Sequence, residues 1–355
     1  SFINDASYND NRTVAISEGT KNFLTEIDIW KKIEPFCEKI KKIKVVDRNY
    51  TNNILFKNKR TNSCLGYIIK NSTILEKVYE ELKKHKNINF VSKSNIESLG
   101  YEKENIFSRS NNYVINSKLI IASDGKASKV RNIIKTPFFK KNYNQSALVI
   151  CFSHQSDHKN TAYEFFYKNG PLAILPMCKA SKNFCSSIVW SNETYFLREL
   201  LKANDNDIKD ILNIKTQNAI GDIKKIFSKK IFPLNSHINS KFFEKKLIYV
   251  GDSAHSIHPI AGQGWNLGMR DVKKLYKLSK NYSDLGLDLG SNEFCKQYND
   301  QCYYDSYQLY QITDKLDYIF KNNSLSIKAI RALGFNILNK NKKLKNLISD
   351  FAMGI

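Results

Sequence analysis

One glycine-dense stretch constrains this 355-residue chain more than any other feature. Glycine and proline are scarce, 14 and 6 residues respectively, so a cluster marks backbone that needs conformational freedom. Gly251, Gly262, Gly264 and Gly268 fall within 18 residues, where even spacing would put about one. The apolar run 246–250 leads into the cluster and reads as a buried strand. It ends in Gly251-Asp252, a carboxylate at the carboxyl end of a strand, where open α/β sheets bind ligands. Gly262-Gln263-Gly264 then opens a helix whose inward face includes Gly268, Val272 and Leu275. Such a helix start offers backbone N–H groups and the positive end of a helix dipole to an anion. The spacing is not the dinucleotide pattern G-x-G-x-x-G, because the third glycine comes one residue late.

A second motif follows the same logic. The apolar run 119–122 reads as a buried parallel strand ending at the turn pair Asp124-Gly125, and Ser128 can cap a helix carrying Val130, Ile133 and Ile134 inward. An ordinary strand–turn–helix corner has the same pattern. His255 and His258 are spaced like metal ligands, but no cysteine cluster or H-E-x-x-H motif accompanies them, so no metal site is expected. One histidine is read as bonding the turn and the other as adjoining a ligand. No Ser–His–Asp order or activated cysteine can be assembled, so the chemistry is assigned to a cofactor.

The rest of the chain frames these motifs. Residues 21–30 and 74–82 read as helices, 40–56 as strands, and 88–123 as short strands broken by Asn-rich turns. Segments 147–152, 162–167, 172–176 and 186–190 read as an antiparallel sheet in a separate layer, followed by helical segments across 193–229. Beyond Asp271 the chain is mostly helical. Two buried strands separated by a strand-rich block predict one α/β domain interrupted by another.

Hydrophobic residues make up 42%, which excludes a disordered chain, and no apolar run reaches the ~18 residues of a membrane span. The net charge of +22 invites a nucleic-acid reading. The lysines, however, are scattered among asparagines and read as a solvated surface, so no nucleic-acid partner is expected. Seven cysteines without a C-x-x-C pair point to a reducing compartment, with the cytoplasm the simplest location. The opening Ser1-Phe2-Ile3-Asn4-Asp5 is neither a signal nor a transit peptide, and the chain is expected to start downstream of a missing segment.

Gly251-Asp252-Ser253-Ala254-His255 through His258-Pro259-Ile260-Ala261-Gly262-Gln263-Gly264-Trp265-Asn266-Leu267-Gly268, ending Arg270-Asp271-Val272, resembles the second flavin motif of FAD-dependent aromatic hydroxylases. The match is to their ubiquinone-biosynthesis branch (the UbiH/UbiF/UbiI type). Asp124-Gly125 through Ser128 and Arg131 is similar to that family's Asp-Gly motif. Weaker similarities lie at 11–17, 65–71, 170–176, 313–316 and 331–334. The family's opening G-x-G-x-x-G segment is absent. Ser253 and Ser123 stand where the family usually has Ala and are read as conservative, while Trp265 replaces a smaller apolar residue.

The resemblance implies a Rossmann-like FAD-binding domain, lacking its first strand–turn–helix, over 1–39, 67–135 and 240–290. It is interrupted by an α+β substrate domain with a mixed or antiparallel sheet over 40–66 and 136–239, with a helical region at 291–355. It implies FAD as cofactor, NAD(P)H as reductant, and ring hydroxylation of a prenylated phenol by O2. Asp252 is expected at cofactor hydroxyls, beside Gly251. Gly262, Gln263, Gly264, Asn266 and Leu267 are expected to place backbone donors at the flavin's pyrimidine side. Pro259 is expected beside the ring and the substrate pocket. Asp124 and Gly125 are expected to support FAD and the nicotinamide encounter, and Arg12 to approach the cofactor. No general base is identified.

A polyprenyl substrate further implies peripheral contact with an anionic inner membrane or a quinone-synthesis complex. Two helical stripes, at 309–319 and 344–351, are candidates for that contact or for core packing. Two other functions stay open. One is a flavin hydroxylase of a soluble aromatic acid, and the other a flavin-free partner in a quinone-synthesis complex.

Overall fold

The computed structural model describes residues 12–47, 53–57, 64–91, 94–102, 104–180, 182–322 and 324–354. Asn11 of the Arg12-bearing segment and 58–63 of the expected substrate domain lie outside these residues. The protein is mixed α/β, with a large mixed sheet and C-terminal helices, as the sequence implies. It divides into two compact units, each assembled from separate stretches of chain.

The first unit contains His85–Asn142 and Asn235–Asp314. Its centre is a small sheet in which Ile120–Ala122 and Leu247–Tyr249 run parallel, the arrangement expected of the two apolar runs. Phe243–Glu244 pairs antiparallel on the other side of Leu247–Tyr249. Leu247, Ile248 and Tyr249 have no exposed surface, as their uniformly apolar sequence requires of a central strand. The helices Gly264–Asp284 and Asn292–Lys321 cover them. Leu275 and Leu278 from the first helix and Phe294, Tyr298 and Cys302 from the second join the same core. The start of the second helix thus belongs to this unit, whereas the sequence placed it in a separate C-terminal region.

The second unit contains the described part of Ala6–Lys84, with Tyr143–Leu234 and Lys315–Ile355. Its sheet runs in the order Ile223–Asn239, Phe138–His154, Asn183–Glu193, Gly170–Ala180, Thr161–Tyr167, Lys42–Asp47, Asn53–Lys57. From Asn235 onward Ile223–Asn239 belongs to the first unit, where the two-residue strand His255–Ser256 pairs with His237 and Ile238. From Phe138–His154 through Asn183–Glu193 and Gly170–Ala180 to Thr161–Tyr167 the pairing is antiparallel, as it is between Lys42–Asp47 and Asn53–Lys57, while Thr161–Tyr167 and Lys42–Asp47 run parallel.

The sheet residues alternate between faces, with period two. Leu148, Ile150, Phe152, Leu172, Ile174 and Ile188 pack under the helices Thr194–Lys202 and Asp205–Thr216 through Leu197, Leu200, Ile208 and Leu212. The helical reading of 193–229 fails beyond Ile223. There, Ile223–Asn239 is a strand, exposed or half-buried through its lysine-rich first part after Ile223 and buried from Ser236 to Asn239. Residues 12–39 and 67–84, placed by the sequence with the cofactor domain, also lie in this unit. Thr13–Ser17 and Glu38–Ile40 flank Gly66–Lys70, and Ile40, Leu65 and Ile68 share a core with Ala162 and Met177 of the large sheet.

Candidate cofactor site

The two acidic turns emerge at one edge of the first unit's sheet, because their strands are parallel neighbours with Ile121 opposite Ile248. Gly125 and Gly251 both have left-handed backbone, φ +80° and +62°, which an L side chain adopts only with strain. A Cβ added to Gly125 would meet nothing within 4 Å, so its main chain borders open space. At Gly268 an added Cβ would lie 3.4 Å from the Gly251 Cα. The helix Gly264–Asp284 therefore meets the Gly251 turn backbone to backbone, which accounts for two of the clustered glycines.

A dense set of buried hydrogen bonds joins the two motifs. The Ser253 hydroxyl donates to the Ala122 carbonyl at 2.6 Å, and the Val250 N–H donates to the Ser253 Oγ at 3.1 Å. Ser253, which has no exposed surface, is thus a tie between strand ends, not a conservative stand-in for alanine. Arg131 lies at the start of the short helix Lys129–Ile134, which Ser128 caps as expected, its Oγ accepting from Arg131 N–H at 3.0 Å. The Arg131 guanidinium donates to the carbonyls of Lys126 and Ser253 and to Nε2 of His237 at 2.9 Å. A guanidinium has only donors, so His237 Nε2 is unprotonated. Burial first, then the charges of Arg131 and Lys126, push His237 down to about 3, opposed by its hydrogen bond to the Asp252 backbone. His237 therefore works as a neutral spacer that fixes the Asp252 turn.

Asp252 itself is exposed. Burial pushes the Lys126 ammonium down, and the Asp252 carboxylate opposes that shift. Asp124 turns inward to its own helix, its Oδ2 accepting from Val130 N–H at 3.1 Å. Pro259 is half-buried ahead of the short turn Ile260–Gly262. Gly262 has φ +61°, and the side chain of Gln263 does not cap the 21-residue helix that begins at Gly264. The donor set expected here narrows. The Gly262 N–H bonds the Pro259 carbonyl, and the Leu267 N–H bonds the Gln263 carbonyl. Leu267 and Asn266 have buried side chains, Leu267 packing with Ile257 and Leu309. Arg12 belongs to the second unit, where it is exposed and stands 5.0 Å over the Phe232 ring.

Sequence reasoning missed the residue that holds the glycine helix in place. His255 Nε2 and Asp271 Oδ2 are 2.6 Å apart with side chains 2% and 1% exposed. The same Asp271 oxygen accepts from the Gly251 N–H at 3.0 Å. Thus one histidine bonds the helix, not its own turn. The signal was available, since Asp271 follows Gly264 and Gly268 at helical spacing and puts an acid on the face read as inward. Nothing comparable pointed to His237.

Exposed carboxylate, open backbone at Gly125 and an uncapped helix start together suit a cofactor carrying hydroxyls and negative charge, as FAD does. A model of the FAD binding domain family matches residues 12–302. Ubiquinone hydroxylase UbiL of Rhodospirillum rubrum is 26% identical over 346 residues, 97% of this chain and 80% of that protein. The 3-demethoxyubiquinol 3-hydroxylase of Escherichia coli K12 is 25% identical over 356 residues, 100% of this chain and 90% of that protein. Among solved structures, p-nitrophenol 4-monooxygenase PnpA from Pseudomonas putida shares the fold, with a TM-score of 0.78 at 13% identity over 99% of this chain and 89% of that one. With a match across most of its length, the chain belongs to the FAD binding domain family.

Proposed function

We propose that the protein is an FAD-dependent monooxygenase that hydroxylates the ring of a prenylated phenol in ubiquinone synthesis, with NAD(P)H as reductant. The observation that carries this reading is the joined pair of acidic turns beside an uncapped glycine-opened helix, in a chain aligned almost end to end with ubiquinone hydroxylases. When bound, FAD supplies the redox chemistry that activates O2. The chain's own residues supply position and electrostatics.

In this proposal the Asp252 carboxylate accepts hydrogen bonds from cofactor hydroxyls, and the Gly251 and Gly125 backbones give close approach. The start of Gly264–Asp284 turns its dipole toward the flavin's negative side, and Gln263 and Asn266 flank it. The Asp271–His255 pair and the Arg131–His237 pair hold these groups at fixed geometry, which catalysis by positioning requires. Pro259 shapes the approach of the ring. Asp124 keeps one carboxylate oxygen on its helix and holds Gly125 in its turn. The first unit is the principal cofactor-holding half. Incubation of the holoenzyme with a 2-prenylphenol, NAD(P)H and O2 should yield a product heavier by one oxygen atom. Oxidation of NAD(P)H with no change in the phenol would count against the reading.

Peripheral contact with an anionic bilayer belongs to the same proposal. The stripe at 309–319 is partly core, with Leu309 buried, but the C-terminal helices Leu325–Lys340 and Lys342–Met353 leave Leu325, Leu333 and Leu347 at 84%, 60% and 67% exposure. Lys340, Lys342 and Lys343 rim the hollow beside Leu333 and Ile337. Among the described residues no helix is long and apolar enough to cross a membrane. Apolar side chains flanked by lysines suit the headgroup boundary of anionic lipid. The protein should float with phosphatidylglycerol vesicles at low salt and detach as salt rises. Its remaining in the pellet fraction at low salt would remove this part of the reading.

A further inference from the structure

The two edges of the second unit's sheet are finished differently. At one, the helix Leu325–Lys340 lies against Asn53–Lys57, and the Asn339 side chain donates to the Asn53 carbonyl at 3.0 Å. At the other lies Ile223–Asn239, whose strand neighbour in this unit is Phe138–His154. Beyond it, His255–Ser256 pairs with His237 and Ile238 and no further back. Along 224–234, therefore, no strand among the described residues lies on the outer side. Pro233 fits such a position, because a residue without an N–H is confined to sheet edges and bulges.

This edge is strongly basic. Lys224, Lys225 and Lys230 are exposed and Lys229 is half-buried, with Phe227 50% exposed among them. The strand contains no acidic residue. Its side chains alternate between the two faces of the sheet. Ser228, Lys230 and Phe232 line a small hollow with Val149 and Arg12, whose guanidinium stands 5.0 Å over the Phe232 ring. Lys229 turns to the other face, where its Nζ lies 2.9 Å from Asp205 of the helix Asp205–Thr216. Cations thus flank the edge on both faces, and the Lys229–Asp205 pair shows a carboxylate already seated against it.

We propose that this edge binds an acidic, extended segment of a partner protein, which joins the sheet as a further strand. Backbone hydrogen bonds along 224–232 set the register of the added segment. Its carboxylates meet Lys224 and Lys230 on one face and Lys225 and Lys229 on the other, with an apolar residue beside Phe227. A second copy of this chain is a poor occupant, since like strands would set lysine against lysine in a protein of net charge +22. Edge lysines prevent such self-pairing, and the same charge selects a strand of opposite sign. A nucleic acid would meet the lysines but would not offer the evenly spaced N–H and C=O groups that a strand edge pairs with.

The test is fluorescence anisotropy of the full-length protein with a fluorescein-labelled peptide of glutamates flanking a central valine. Saturable binding is expected, weakening about tenfold as salt rises through the physiological range. The same peptide N-methylated throughout keeps its charge but has no N–H to donate, and it should not bind. Lys224→Glu combined with Lys230→Glu should weaken the glutamate peptide by roughly 10–100-fold and admit its lysine counterpart. Lys83→Glu combined with Lys86→Glu, an equal change of charge at exposed positions elsewhere, should leave binding unchanged. Amide hydrogen exchange in the wild type should slow across 224–232 when the peptide is bound, a readout that needs no variant. No binding of the glutamate peptide, equal affinity for its N-methylated form, or an equal loss in the Lys83 and Lys86 variant would overturn the proposal. So would tighter binding of a single-stranded oligonucleotide of the same charge.

Discussion

Asp271→Ala is expected to leave a protein that no longer holds flavin and is destabilised by about 3–5 kcal/mol, the range for removing one partner of a buried charged or hydrogen-bonded pair. The substitution strips the buried His255 imidazole of its 2.6 Å partner and leaves the N–H of half-buried Gly251 unpaired. Where Gly251 and Gly268 meet, Asp271 ties the helix to the turn. Its loss therefore also loosens the start of Gly264–Asp284 and displaces Asp252. Denaturant unfolding and flavin titration check the two consequences separately. Asp271→Asn, which keeps a hydrogen-bonding oxygen, should recover most of the stability. A fully stable, flavin-loaded Asp271→Ala would show that the buried pair does not organise the site.

The second large effect is expected at Arg331 in the other unit. Its side chain is 1% exposed, its Nε lies 3.3 Å from the equally buried Asp47, and its Nη1 donates to the carbonyls of Ile319 and Phe320. Those carbonyls belong to the last turn of Asn292–Lys321, where no intrahelical donor remains for them. Arg331→Leu keeps comparable apolar bulk but strands the Asp47 charge and the helix end together. Loss of about 3–5 kcal/mol is expected, seen as a lower denaturant midpoint with an unchanged slope. The double variant Arg331→Leu with Asp47→Leu should recover part of it, because two apolar residues remove the uncompensated charge. An unchanged midpoint in the single variant would mean that Asp47 is hydrated or neutral in the folded protein.

How much of this was legible in the sequence follows from the range of each interaction. The strands at 120–122 and 247–249 could be read because continuous apolar runs have few other fates, and Ser128 could be read as a cap because capping is local. The glycine-opened helix was legible for the same reason. Ile223–Asn239 was misread in part because its lysines blur the two-residue alternation that separates strand from helix. The placement of 12–39 and 67–84 depends on Ile40, Leu65 and Ile68 finding Ala162 and Met177, contacts between stretches of chain about a hundred residues apart.

Within the site, local spacing gave Asp124, Gly125, Gly251, Asp252 and the Gly262–Gly264 turn. The bonds that join the motifs were out of reach. His237 lies 106 residues from Arg131, and Ser253 lies 131 residues from Ala122. The backbone bonds that occupy the Gly262 and Leu267 N–H groups were also invisible, so the donor set was drawn too wide.

The most direct test of the account is the visible absorption spectrum of the full-length protein titrated with FAD, beside Asp252→Ala. The account predicts a saturable yellow complex in the wild type, bleached by NAD(P)H, and uptake lost or severely weakened in the variant. A wild-type protein that takes up no flavin, or an Asp252→Ala variant that binds it as tightly, would contradict the assignment of this edge of the first unit to the cofactor.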